Sequence, residues 1–128
     1  MTKKPSKRLR LLLTDRAVND ILDIERYSIE QFGKRVANRY LTKLEAALQR
    51  ISAEPGLLHR EPAFHASLRF YRVEKHLLIC ETGVNGHIFV LTVAHASIDI
   101  PSRLSELEPS LALEMSLLFA DLERSHKR

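Results

Sequence analysis

The sequence lacks the features that mark disulfide-bonded and membrane proteins. Cys80 is the single cysteine of the chain, so it can form no internal disulfide and has no second thiol with which to bind a metal. We expect it to be a small buried side chain within a strand. No apolar run approaches the roughly 20 residues that span a bilayer, and the basic N-terminus is not followed by the apolar segment of a signal peptide. These absences predict a cytoplasmic protein that makes no contact with a membrane.

The common catalytic and cofactor motifs are also absent. The chain has no Gly-rich phosphate loop, no paired-cysteine site and no nucleophile elbow. Its six histidines do not show metal-ligand spacing on one element. Glu25, Glu81 and Asp99 belong to different predicted elements, so no pair of carboxylates is arranged for acid–base chemistry. We therefore expect neither a cofactor nor a metal ion.

Composition and charge are those of a single globular domain. Of the 128 residues, 45% are hydrophobic and 28% are charged, which allows a core without a metal or disulfide. The formal net charge of +4 lies partly in the two tails, so the domain is mildly basic and suits an acidic partner. We divide the chain into a basic flexible tail (residues 1–8), a folded domain (residues 9–104) and a C-terminal helical extension (residues 105–128).

Two amphipathic helices are predicted over residues 14–53, and Gly33 is placed to end the first and reverse the chain. The first helix has an apolar arc expected to face the core: Ala17, Val18, Ile21, Leu22, Ile24, Ile29 and Phe32. The opposite side is expected to face solvent and holds Asp20, Asp23, Arg26 and Glu30. Glu25 projects from within the apolar arc, so it lies either near the exposed lip of the helix or against a partner.

The second helix has a cleaner apolar stripe, which contains no charged residue. The stripe consists of Val36, Ala37, Tyr40, Leu41, Leu44, Ala47, Leu48 and Ile51. A connection of about two residues requires the two helices to run antiparallel, and neither can bury its stripe without a sheet beneath it.

Residues 68–101 predict a meander of three strands. The segment of residues 87–94 is rich in β-branched and aromatic side chains without polar alternation, which is typical of a central strand covered on both faces. Val84, Asn85 and Gly86 supply a tight turn, so residues 75–82 should pair with residues 87–94 as a hairpin. The alternation of Leu9, Leu11 and Leu13 adds an N-terminal strand. The predicted fold is therefore α+β, with an antiparallel helical hairpin packed on an antiparallel sheet of about four strands.

A further helix is predicted over residues 110–123, with Ser110 as its cap. It carries an ordinary buried stripe and a second apolar side that includes Leu113 and Leu117. A helix that is apolar on two sides usually touches two things. We therefore predict a homodimer formed through Leu113 and Leu117.

The chain resembles the RelE/ParE superfamily of type II toxin–antitoxin toxins and is most similar to the ParE branch. The resemblance rests on three short motifs in order: Leu68-Arg69, His76-Leu77-Leu78-Ile79, and Val93-Ala94-His95 followed by Asp99-Ile100-Pro101. It covers about residues 9–104, with two helices of matching length before the motifs. It implies a toxin fold, and a cognate antitoxin whose acidic, amphipathic C-terminal segment wraps the toxin.

The resemblance leaves two modes of toxicity open. RelE-type members cleave messenger RNA on the ribosome, which needs a proton acceptor and cations around the phosphate, whereas ParE-type members bind DNA gyrase. Leu77 stands where the strand arginine of the ribonucleases is expected, and Pro101 stands near the place of their tyrosine. The resemblance therefore implies a gyrase inhibitor that is not an enzyme.

Two alternatives are kept. The first is a ribonuclease in which His95 is the base and Arg69 and Arg72 are the cations. If these residues have only a structural role, His95 is a strand-end residue hydrogen-bonded to Asp99 or to backbone, and Arg69 is paired with a carboxylate. The second alternative is an interaction module that is not toxic.

Overall fold

The computed structural model describes residues 11–83 and 86–105, and its fold is α+β. The elements are β1 (Leu11–Leu13), α1 (Asp15–Phe32), α2 (Lys34–Ala53), β2 (Leu68–Val73), β3 (His76–Thr82) and β4 (Ile88–His95). A short 3₁₀ turn, Pro55–Leu57, follows α2. The chain divides into two compact units, Met1–Ala96 and Ser97–Arg128, and within the second unit residues 100–105 are helical. The predicted tail of residues 1–8 and the predicted helix of residues 110–123 lie outside the described residues.

The four strands form one sheet in the order β1-β4-β3-β2. The predicted hairpin is confirmed, because β3 and β4 pair antiparallel from His76 opposite His95 to Thr82 opposite Ile88, with a register shift at Ile79/Cys80. The predicted covering of both faces of β4 is confirmed as well, since only His95 is exposed in that strand. Gly86 in the connecting turn has a φ of 77°, as a tight hairpin turn requires.

The sheet is mixed rather than wholly antiparallel, which corrects the prediction. β1 pairs with β4 in parallel, with Leu11 opposite Ile88 and Leu13 opposite Val90. Parallel neighbours need a long crossover connection, and here the helical hairpin together with β2 and β3 provides it. The first strand of the fold therefore lies beside the last one.

The helical hairpin is confirmed and packs on one face of this sheet. Thr14 caps α1: its Oγ1 accepts a hydrogen bond from Ala17 N at 3.1 Å and donates to Leu91 O at 2.8 Å. Gly33, with a φ of 88°, separates the helices. The α2 stripe is buried as predicted through Ala37, Leu44, Ala47 and Ile51, with Tyr40, Leu41 and Leu48 half-buried. Val36 is the exception, with 39% of its surface exposed.

The face that α1 buries differs from the predicted arc. Asp20, predicted to face solvent, is buried, and Ser28 is buried beside Ala17 and Ile24. Part of the predicted core arc is instead exposed: Val18 (43%), Leu22 (49%), Ile29 (37%) and Phe32 (57%). The reason for the difference is that Asp20 finds hydrogen-bond donors on the sheet, which repay the burial of its carboxylate.

Asp20 ties α1 to β4. Its carboxylate accepts hydrogen bonds from the Thr92 hydroxyl and, at 2.9 Å, from Val93 N. Arg16 Nε also donates to it at 3.1 Å. A charged acceptor strengthens each of these bonds, so the helix is held at a fixed position over the sheet, and the flank of α1 that carries Val18, Leu22 and Ile29 is turned outward.

Candidate functional site

The two helices and the ends of the strands enclose a cleft of about 530 Å³. Its lining comes from three parts of the fold: Asp23, Ile24, Tyr27, Ser28 and Phe32 from α1, Val36 and Tyr40 from α2, and Glu74, Lys75, His76 and His95 from the sheet end. Tyr27, Phe32 and Val36 are exposed there. An apolar concavity with a few convergent polar groups is the usual form of a binding site.

Tyr40, His76 and His95 form a connected polar cluster in this cleft. The Tyr40 hydroxyl lies 2.6 Å from His76 Nδ1 and also donates to Val73 O at 3.3 Å. Either the hydroxyl or the imidazole can supply the proton of the shorter contact, depending on the tautomer of His76. The His76 and His95 rings meet edge to face at 5.6 Å, as their opposed positions on β3 and β4 require.

Burial favours the uncharged forms of two members of this cluster, His76 and Tyr40. It lowers the pKa of His76, and the neighbouring charges of His95 and Lys75 lower it further, against an opposing effect of Asp20. Burial likewise raises the pKa of Tyr40, and Glu74 adds to the rise. Near neutral pH, His76 is therefore a neutral imidazole and Tyr40 a neutral phenol, so neither supplies a charge with which to hold a phosphate.

The three ribonuclease candidates do not come together. Arg69 lies in the same row of the sheet as Val90, five residues and two strands away from His95, or roughly 19 Å between Cα atoms. Arg72 pairs with Leu77 in the row next to His76 and His95, so it projects from the opposite face of the sheet.

Both arginines are engaged locally. The guanidinium of Arg69 donates to the carbonyl oxygens of Ala66 and Leu68, and Arg72 Nε donates to Glu74 O at 2.8 Å. The carboxylate partner that the sequence suggested for Arg69 is replaced by backbone carbonyls.

The partner-binding candidates have different outcomes. Glu25 is half-buried on α1 and lies among the exposed Val18, Leu22 and Ile29. Leu113 and Leu117 lie outside the described residues. Cys80 is buried as expected. Within residues 11–83 and 86–105, no group of three His, Cys, Asp or Glu side chains could hold a metal ion, and no helix is long and apolar enough to cross a membrane.

Sequence reasoning missed Tyr40 and His76 as members of the cleft. Tyr40 was assigned to the core stripe of α2, and His76 was one of several histidines without a common element. The available signal was the hairpin register, because pairing residues 75–82 with residues 87–94 brings His76 close to His95 across the strands.

Both the sequence and the fold resemble those of known proteins. The family model of the ParE toxin of the type II toxin–antitoxin system parDE matches residues 11–100. The chain belongs to the ParE toxin family.

A curated relative, the toxin ParE of Escherichia coli, is 28% identical over 95 residues, which are 74% of this chain and 92% of the relative. The solved structure of the chromosomal ParDE system from P. aeruginosa superposes with a TM-score of 0.60 at 13% identity. That match covers 69% of this chain and 96% of the other, and it supports the same fold. All of the elements from β1 to β4 fall within the stretch that matches the ParE family.

Proposed function

We propose that this ParE-family chain is the toxin of a type II toxin–antitoxin pair and that it acts in the cytoplasm by binding DNA gyrase, without catalysis. The observation that carries the proposal is the amount of apolar surface that the fold leaves uncovered on α1 and at the start of α2. Val18, Leu22, Tyr27, Ile29, Phe32 and Val36 are each 37% to 59% exposed. They belong to two surfaces, the outward flank of α1 with Val18, Leu22 and Ile29, and the cleft with Tyr27, Phe32 and Val36. Exposed apolar surfaces of this kind are typical of protein-binding sites.

The chemistry of the cleft supports binding over RNA cleavage. Cleavage through the 2′-hydroxyl needs a base next to cations that stabilise the pentacovalent phosphate. In the cleft, the imidazole of His76 is held neutral, while Arg69 and Arg72 donate to backbone carbonyls elsewhere. Lys75 lines the cleft, but the other lysine nearby, Lys43, is paired with Glu74 at 3.2 Å.

The proposed antitoxin is a protein with an acidic, amphipathic C-terminal segment that folds as it binds. The cleft suits such a segment because its lining includes the apolar side chains of Tyr27, Phe32 and Val36 together with Lys75. The two carboxylates of the lining, Asp23 and Glu74, are paired with Arg26 and Lys43. The net charge of +4 favours the encounter with an acidic chain.

The test is expression in cells together with two assays of the purified protein. We expect growth arrest with DNA-damage signalling, and inhibition of supercoiling by purified gyrase that the antitoxin reverses. His95→Ala should leave the growth inhibition largely intact, because this imidazole has no catalytic role in the proposal. Rapid loss of protein synthesis, with cut messages in a translating extract, would identify a ribonuclease instead, above all if His95→Ala abolished it with the fold preserved. A chain that binds a partner without any effect on growth would be a non-toxic interaction module.

The homodimer through Leu113 and Leu117 is a separate proposal that rests on the apolar pattern of residues 110–123 alone. Light scattering at micromolar concentration tests it directly. A monomer under those conditions contradicts it.

A further inference from the structure

One flank of α1 carries an apolar stripe that the cleft does not use. Val18, Leu22, Glu25 and Ile29, which we call the outer α1 stripe, follow one another at intervals of four, three and four residues. At 100° per residue they fall within an arc of about 60° and extend over about 16 Å of the helix. Of the cleft-lining residues of α1, Asp23 and Tyr27 lie on the opposite side of the helix, and Phe32, in its last turn, is the one that comes near the stripe.

The exposure of this stripe follows from how α1 is fixed. Asp20 accepts hydrogen bonds from Thr92 and Val93, and this sets the rotation of the helix about its axis. In that rotation Val18, Leu22 and Ile29 remain 43%, 49% and 37% exposed. Rolling the helix to bury them would break buried hydrogen bonds to a charged group, so α1 cannot cover the stripe by turning it toward the sheet.

Glu25 decides the chemistry of what can cover the stripe. It is half-buried among these apolar side chains, and in the described part of the chain no hydrogen bond or ion pair engages its carboxylate. A partner that covered the stripe would remove water from this carboxylate, which is costly unless the partner supplies a cation. A fitting partner is therefore a helix that is apolar on one side and carries lysine or arginine opposite Glu25.

Two other occupants fit poorly. A second copy of this chain, related by a two-fold axis through the stripe, would bring each Glu25 close to its own copy, because this residue lies near the middle of the stripe. Two carboxylates in a desolvated contact repel each other. An acidic antitoxin segment would meet the same repulsion, whereas the cleft offers Lys75 and its two carboxylates, Asp23 and Glu74, already have cationic partners.

We infer that the outer α1 stripe docks a basic amphipathic helix of the toxin's protein target, on a surface separate from the one that the antitoxin occupies. This inference rests on the proposed function, in which target and antitoxin are different proteins. It adds that the two bind opposite sides of α1.

The first experiment tests the chemistry without a target. Two synthetic helical peptides share one leucine stripe and differ only in carrying lysine or glutamate beside it. Binding to the full chain is measured by fluorescence anisotropy at low ionic strength. The acidic peptide can also bind in the cleft, so the decisive comparison is the effect of a substitution in the stripe. We expect Glu25→Lys to weaken binding of the basic peptide at least about tenfold, which corresponds to about 1.4 kcal/mol, and not to weaken binding of the acidic peptide. The matched control Glu30→Lys, at an exposed position outside the stripe, should weaken binding of the basic peptide much less. No loss of basic-peptide binding in Glu25→Lys, or equal losses in the two variants, would overturn the inference.

The second experiment assigns the surface. We expect the variants Glu25→Lys and Leu22→Ser to inhibit growth and gyrase at least about tenfold less than the wild type does. Both should bind the antitoxin with the affinity of the wild type. Melting followed by circular dichroism shows whether each variant is folded. Variants that inhibit gyrase as the wild type does would overturn the inference, and so would a specific loss of antitoxin binding. A wild-type dimer that Leu22→Ser dissociates would assign the stripe to a second copy and overturn it as well. A wild-type chain without effect on gyrase would instead refute the proposed function, and the peptide titration would then decide the chemistry of the stripe alone.

Discussion

Replacing Asp20 with alanine tests how α1 is held on the sheet. The substitution removes the acceptor of two buried hydrogen bonds, from the Thr92 hydroxyl and from Val93 N, and both donors are left without their partner. A buried polar group that loses its partner costs about 1–3 kcal/mol. The loss of the Arg16 ion pair adds little, because that guanidinium is 39% exposed.

The expected destabilisation is therefore about 2–6 kcal/mol for the two donors, a large share of the roughly 5–15 kcal/mol that stabilises a domain. Urea unfolding followed by far-ultraviolet circular dichroism measures it, and the slope of free energy against urea should stay unchanged. Asp23→Ala is the matched control. Its carboxylate pairs with Arg26 at 3.0 Å, but both side chains are more than 65% exposed, so this variant should lose less than about 1 kcal/mol.

A double-mutant cycle shows whether the cost comes from the bond to Thr92. Thr92→Val removes the donor, and we expect a coupling of about 1–3 kcal/mol between this change and Asp20→Ala. The reasoning is refuted if Asp20→Ala unfolds within about 1 kcal/mol of the wild type, because the carboxylate would then not anchor the helix.

Three further predictions follow from single residues. Burial lowers the pKa of His76, so the contribution of the neutral imidazole to stability is complete above the ordinary pKa of about 6.5 and is lost as the pH falls through the lowered pKa. Between about pH 7 and 5, the urea midpoint should therefore drop less for His76→Gln than for the wild type. Equal drops would contradict this. Burial raises the pKa of the Cys80 thiol to about 12, so a thiol reagent should label the native protein only as fast as it unfolds, and prompt labelling in the absence of urea would show that the thiol is accessible. An added Cβ at Gly83 would lie 2.5 Å from Phe89 Cε2, so Gly83→Ala should lower the free energy of unfolding in urea by about 1–3 kcal/mol. Gly56→Ala is the control: its added Cβ meets nothing within 4 Å, so it should cost less. Equal costs would refute the packing argument.

Local patterns predicted the elements of this fold well. The helical hairpin around Gly33, the β3–β4 hairpin and the fully covered β4 strand all follow from spacings within a few residues. The parallel pairing of β1 with β4 could not be predicted in this way, because the choice of a neighbour for an edge strand depends on contacts more than 70 residues apart.

The face of α1 was predicted less well for a physical reason. Hydropathy assigns Asp20 to solvent and Leu22 to the core, but a carboxylate with buried donors can lie inside and an aliphatic side chain can remain outside. The apolar arc of α1 therefore contains residues of two different surfaces, one that faces the sheet and one that is exposed. The unusual position of Glu25 within the apolar arc could be seen from the sequence, because it depends on helical spacing alone. The cleft around Tyr40 and His76 could not be predicted, because its residues come from elements that only the packed structure brings together.

The parallel contact between β1 and β4 also bears on synthesis of the protein. Thr14 donates to Leu91 O across 77 positions of sequence, which translation at about 5–20 residues per second covers in roughly 4–15 s. Until residues 88–95 have left the ribosome, the N-terminal strand has no neighbour and α1 has no sheet to which Asp20 can bind. A truncated message therefore yields a fragment in which β1 and α1 cannot pack on β4. The domain can fold only after nearly all of it has been translated.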